Sequence, residues 1–348
     1  MKPPPAPPSP TEGIYLDNLG ELLAGIPSMI GFPPTDSLVL ITFHLTDRLM
    51  LGATVRMDLP EPRHGPDMVS QLCLATVAHE PDVAVPVVIG GGSAAPPDLP
   101  YQWLVERVTR ELEEVDIPSV HALWLPSIEV GETWWCYEDE ECTGQVSDPQ
   151  TSSFAAFHAL AGVVSYGSRA EMAAHLAPDR EDLVAHRAQL LAERAAESVE
   201  LEPAGKWAVV RAALDSVPDG ALPELDDDEV VDVAAALCDP LVRDNCLPLV
   251  LADEADAAER LWTVLVRAVP APERAEPASL LAIHAYLRGE GVLANLALEV
   301  ALDADPGHHL ALLLRESIDR GMPPARFRAM VEESVVWAEQ VNVDGADR

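Results

Sequence analysis

The chain changes character near residue 150, and that change limits its possible folds more than any motif it carries. Before this point, short β-branched runs alternate with helical periods; after it, amphipathic segments follow one another, broken by prolines. Alternating strands and helices predict a mixed sheet covered by helices, whereas unbroken helical periodicity predicts all-α packing. The expected organisation is an α/β mixed-sheet domain over 14–148 and an α-helical domain over 149–340. A proline-rich disordered tail at 1–13 and a disordered end at 341–348 complete it. The length of 348 residues suits two domains of roughly 150 each.

In the first half, Ser37–Phe43 and Met50–Met57 read as strands, joined through Thr46-Asp47-Arg48 as a hairpin. A helix follows at Pro66–His79, then a strand at Val83–Ile89 closed by Gly90-Gly91-Gly92. Next come a helix at Gln102–Val115 and a strand at Ser119–Leu125, with a leading helix near Leu16–Ala24. Pro86 has no N–H for a ladder bond, which predicts an edge or a bulge there. In the second half, Ala278 to His309 spaces Ala282, Gly289, Ala294, Ala301 and Pro306 like a tetratricopeptide-type helix pair. Small residues at those sites let two antiparallel helices approach closely. One such unit without neighbours reads as a single helical hairpin in a bundle, since a solenoid needs about three repeats.

Charge narrows the partners. With 22 Lys+Arg against 58 Asp+Glu the formal charge is −36, which repels phosphate backbones and anionic lipid. Neither nucleic acid nor a membrane surface is expected as a partner, and a small molecule or a protein is. No apolar run approaches the roughly 18 residues of a membrane span, and the start MKPPPAPPSPTEG lacks a secretory h-region, so a cytoplasmic setting is expected. Five cysteines at irregular spacing then read as reduced thiols.

Leu22–Phe43, followed by the strand ending Arg56-Met57-Asp58-Leu59-Pro60, resembles an actinobacterial family known as domain of unknown function 4192. Trp134-Trp135-Cys136-Tyr137 with Cys142, Leu280–Leu302 and Asp305–Leu314 resemble the same family. The resemblance implies an intracellular actinobacterial protein. It brings no activity, cofactor or catalytic residue with it.

Candidate chemistry concentrates in two places. Asp36-Ser37 enters the first strand while Arg56 and Asp58 end the second, so a hairpin sets a carboxylate, a hydroxyl and a guanidinium at one sheet edge. Such a set suits an anionic or hydrogen-bonding ligand; equally, Asp36 or Ser37 caps the turn and Arg56–Asp58 is a solvated pair. Trp134-Trp135 with Cys136, the acids Glu138–Glu141 and Cys142 reads as a structural hairpin, a binding lid or a redox or metal element. The C-x5-C spacing, with no histidine following before His158, supplies too few ligands, so neither a metal site nor a cofactor is expected.

The remaining motifs carry less. Gly90–Gly92 follows a strand, but with Lys2 and Lys206 as the only lysines no Walker-type phosphate loop exists. Asp253-Glu254-Ala255-Asp256, Asp226–Glu229 and His308-His309 read as helix starts. His44, His79, His121 and His158 stand apart in sequence. The expected function is a non-enzymatic ligand- or protein-binding, regulatory module. The competing expectation is a small-molecule hydrolase or transferase. Both place the site in a cleft between the two domains.

Overall fold

The computed structural model describes residues 19–47, 49–92, 96–160, 164–197 and 202–333. The first-half elements are α1 (Leu19–Ile30), β1 (Ser37–Leu45), β2 (Leu49–Asp58), α2 (Gly65–Val77), β3 (Val83–Ile89) and α3 (Gln102–Glu113). They continue with β4 (Leu123–Leu125), β5 (Thr133–Cys136), β6 (Thr143–Gln145) and α4 (Ser153–Leu160). The strands form one six-stranded sheet in the order β2-β1-β3-β4-β5-β6. Only β3 and β4 run parallel; every other neighbouring pair is antiparallel. Half of the chain is thus a mixed sheet with helices, and the rest is mostly helical.

Side chains leave a strand on alternate sides, so the unbroken apolar runs of β1 and β3 make both sheet faces apolar. Leu38, Leu40, Ala84, Val88 and Trp124 pack against Val69 and Leu72 of α2 and against Leu104, Val105, Val108 and Leu112 of α3. The alternate residues Val39, Ile41, Val87, Ile89, Leu123 and Leu125 are also fully buried. Helix α1 packs against β2, β6 and α4. Gly25 lets α4 approach, because a Cβ there would lie 2.3 Å from the Phe154 ring.

Pro86 does not sit at an edge: β3 lies between β1 and β4. Ala84 and Gly90 donate to Pro118 and Leu125 on the β4 side, at 3.1 and 2.9 Å. Alternate residues face the same neighbour, so Pro86 turns its missing N–H that way too. There the ladder is interrupted between a bridge at Ser119 and the start of β4 at Leu123. The expected strand Ser119–Leu125 is therefore mostly irregular, and His121 lies in the gap with a left-handed φ of 58°.

The second half contains α5 (Arg169–His175), α6 (Glu181–Glu197), α7 (Pro203–Asp215), α8 (Asp227–Leu237) and α9 (Pro240–Cys246). A 3-10 turn (Leu247–Leu251), α10 (Ala255–Ala268), α11 (Ala275–Leu287), α12 (Gly291–Ala304) and α13 (His309–Asp319) follow, and then α14 over 324–333. The chain divides into two compact units between Arg169 and Ala170. In the second, α11 and α12 form a close antiparallel hairpin, in which Ala282, Ala294 and Ala301 are fully buried.

Helix starts follow local chemistry. Asp226 accepts from the Glu229 amide and Glu229 accepts from the Asp226 amide, both at 2.9 Å, so this acidic run is a capping box. His308 caps α13 by accepting from the Ala311 amide through Nδ1 at 3.3 Å. Helix α9 has no counterpart in the sequence reading: Pro240 stands at its first turn, where a proline is tolerated, and Asp239 caps it by accepting from Leu241. No helix among the described residues is long and apolar enough to cross a membrane.

Candidate functional site

At one end of the sheet, the start of β1, the end of β2 and the end of β3 come together. Register pairs Ser37 with both Asp58 and Ile89. Arg56 and Asp58 share the Ser37 face, as alternation in an antiparallel pair requires. Arg56 donates through Nε to Ser37 Oγ at 2.9 Å and pairs with the Asp58 carboxylate; its guanidinium lies over the Phe32 ring, 5.8 Å from the centroid. Ser37 is fully buried and donates to the Thr35 carbonyl at 2.6 Å.

Asp36 points elsewhere. In a left-handed conformation at φ 41°, it accepts from the Gly91 amide through Oδ1 at 2.8 Å. Gly90 and Gly91 carry φ values of 77° and 76°, and added Cβ atoms would lie 2.7 Å from Asp36 Oδ1 and 2.6 Å from the Tyr101 ring. Only glycine fits this turn. Asp36 thus locks the glycine turn while Ser37, Arg56 and Asp58 form a separate linked set.

The two tryptophans part as an extended strand demands. Trp135 stacks on Trp124 with centroids 5.3 Å apart, and Trp124 donates to the Gly90 carbonyl at 3.0 Å. Trp134 is buried on the opposite face, fitted against Gly144, where a Cβ would lie 2.7 Å from its ring. Tyr137 reaches the Pro100 carbonyl at 2.5 Å. The Trp124–Trp135 stack therefore borders the glycine turn, while Trp134 belongs to the hairpin interior.

A second constellation lies at the other end of β4. Leu123 pairs with Cys136 and Trp135 with Thr143, and the Cys136 amide donates to the Cys142 carbonyl at 3.0 Å. This register carries residue 121 to the mouth of the β5–β6 hairpin. The ligating atoms of His121, Cys136 and Cys142 all lie within 4.8 Å of one another. His121 is exposed, Cys136 buried and Cys142 half-buried. Burial, then Cys136 and Asp139, push the Cys142 thiol above its ordinary range. Sequence reasoning missed this set because it sought a histidine after Cys142, whereas His121 arrives from the irregular stretch just before β4. The available signal was the odd pairing of Pro86 with an irregular β4.

The other histidines part company. Burial, followed by the charge of His44 near the far end of β1 from Ser37, lowers the His79 pKa. In the second unit, burial lowers the pKa of core His284 and raises that of half-buried Glu259, which is paired with Arg288.

No curated protein and no solved structure matches this chain. A family model does, across residues 20–325, nearly the whole length. The chain therefore belongs to the family described as Domain of unknown function (DUF4192).

Proposed function

We propose that the protein is a non-enzymatic binding and regulatory module that holds an anionic group at the sheet end where Ser37, Arg56 and Asp58 are linked, with Asp36 bracing the neighbouring glycine turn. The observation that carries this reading is the asymmetry of the Arg56–Asp58 pair. The Arg56 side chain is 12% exposed and fixed by Ser37 and Phe32, whereas Asp58 is 76% exposed. A carboxylate so well solvated contributes little to stability and is easily replaced. A ligand carboxylate or phosphate would take over its place on a guanidinium already oriented for it. The Trp124–Trp135 stack lies on the opposite face of the sheet, with Leu38 and Val88, and takes no part in this site.

Support for binding rather than catalysis comes from Ser37. Its hydroxyl donates to Thr35 and accepts from Arg56, so neither its proton nor its lone pair is arranged for a base. In the second unit, the fully buried alanines of α11 and α12 and the left-handed Gly289 at φ 86° between them support a tetratricopeptide-type hairpin. A cytoplasmic actinobacterial setting completes this reading.

The test is titration with inorganic phosphate and with succinate at low salt, followed by thermal melting and by amide chemical shifts. Saturable stabilisation with shifts at Ser37, Arg56 and Gly91 is expected. Arg56→Lys, which keeps the charge and loses the planar fork, should weaken binding at least tenfold. No saturable response to either probe, or an unchanged response in Arg56→Lys, overturns the reading.

A further inference from the structure

We propose that His121, Cys136 and Cys142 form a site for one thiophilic divalent cation, of which zinc is the best chemical match. This site lies at the opposite end of β4 from Arg56 and shares no residue with the anion-binding reading. Three donors, one imidazole and two thiols, converge within 4.8 Å. A tetrahedral zinc with Zn–S of about 2.3 Å and Zn–N of about 2.0 Å sets such donors roughly 3.5–3.8 Å apart. Closing that gap takes about 1 Å, within reach of side-chain rotation. Thiolate and imidazole together select zinc over calcium or magnesium, which prefer oxygen.

The cluster comes from two chain segments brought into register. The cysteines face each other across the mouth of the β5–β6 hairpin, tied by the Cys136 amide on the Cys142 carbonyl. His121 comes from the interruption opposite Pro86, in a left-handed conformation that β-branched residues avoid. That conformation costs energy in the folded chain, and residues held so collect at functional sites. On binding, each thiol gives its proton to solvent, and two thiolates then balance the charge of one divalent cation. The acids Glu138–Glu141, between the cysteines in sequence, add a negative field that draws cations in. Three protein donors leave a fourth coordination position to water or to an incoming ligand, the arrangement of zinc sites that react or exchange rather than purely brace.

The experiment loads the full reduced chain with cobalt(II), which reports thiolate ligation by near-ultraviolet charge-transfer absorption. One cobalt per chain, showing that absorption and displaced by zinc, is expected. Zinc should also protect half-buried Cys142 from iodoacetamide. Cys142→Ser should lower affinity more than tenfold and remove much of the charge-transfer intensity. His121→Asn, a substitution that tolerates the left-handed backbone, should lower affinity and keep that intensity. Circular dichroism identifies any variant that has lost its fold, and cysteine protection in the unaltered chain then decides. The proposal is overturned if the reduced chain takes up no cobalt with thiolate absorption and zinc leaves Cys142 open to alkylation. It is likewise overturned if folded Cys142→Ser and His121→Asn bind as tightly as the original chain, or if the two thiols only join in a disulfide on oxidation.

Discussion

Trp262 donates its indole N–H to Nε2 of His284 across 3.4 Å, deep in the core of the second unit. The imidazole accepts this bond only when neutral at Nε2. Burial, followed by the nearby Arg288, brings its pKa down to about 3, while the Ala255 backbone pulls the other way. An unfolded chain takes up a proton at His284 below about pH 6.5 and the folded chain only near pH 3. Its contribution to stability is complete above pH 6.5 and is lost as pH falls through that window. Each pH unit inside the window costs about 1.4 kcal/mol. Across pH 8 to pH 4, denaturant unfolding should show the stability difference between the original chain and His284→Gln changing with this slope, because other titrating groups are present in both.

Glu259 titrates with the opposite sign. Its carboxyl is pushed up to about 7, first by burial and then against the pull of Arg288, 2.7 Å away, which it shares with Glu290. The folded chain therefore holds this proton where the unfolded chain has lost it. The stability it contributes is present below about pH 4.5 and is lost as pH rises toward 7. Glu259→Gln cannot lose a proton, so its stability relative to the original chain should grow between pH 4.5 and 7. Paired denaturation curves at pH 4.5 and 7 measure this directly, and an equal difference at both would contradict it.

Arg187 is a buried hub. It donates to Asp227 at 2.7 Å, to Asp179 at 2.8 Å and to the Ala268 carbonyl at 3.2 Å. Removing Arg187 leaves Asp179 to Arg267 at 3.6 Å and Asp227 beside His186 at 3.9 Å. Because both acids keep some solvent, the cost falls toward the lower end of the about 3–5 kcal/mol of a broken buried pair. Arg187→Ala should lower the melting temperature by roughly 6–15 °C, a shift that calorimetry resolves. Arg180, exposed and paired with exposed Asp182, supplies the control, because Arg180→Ala should move it by no more than about 1 or 2 °C.

Gly91 has a left-handed φ of 76° and no room for a methyl group against Tyr101. Gly91→Ala should destabilise the first unit by about 1–3 kcal/mol and change the emission of the Trp124–Trp135 stack beside the turn. Gly131, also at positive φ with open space around it, pays only the backbone part, so Gly131→Ala should cost about 1 kcal/mol.

Much of the framework was legible because it is set by neighbours along the chain. Short apolar, β-branched runs predict β1, β2 and β3, and Thr46-Asp47 turns the hairpin where expected. Asp226 and Glu229 cap α8 from three residues apart, a range at which sequence speaks plainly. Helix α9 was hidden because Pro240 reads as a stop, though a proline opens a helix as readily as it closes one. Pro86 was expected at an edge or a bulge; the structure places it on an interior strand, with the irregularity in the neighbour it cannot bond.

The candidate sites divide the same way. Sequence by itself brought the ends of the first hairpin near one another and so nominated Ser37, Arg56 and Asp58, while the irregular register between Ile41 and Phe43 left their pairing to the fold. It also determined that Trp134 and Trp135 would part, since successive side chains leave a strand on opposite sides. Only the tertiary structure decided that Asp36 would secure Gly91, 55 residues away, and that His121 would join Cys136 and Cys142. Those contacts depend on which strands pair and on where a ladder breaks, and these are settled by the packing of both sheet faces rather than by the preferences of any local segment.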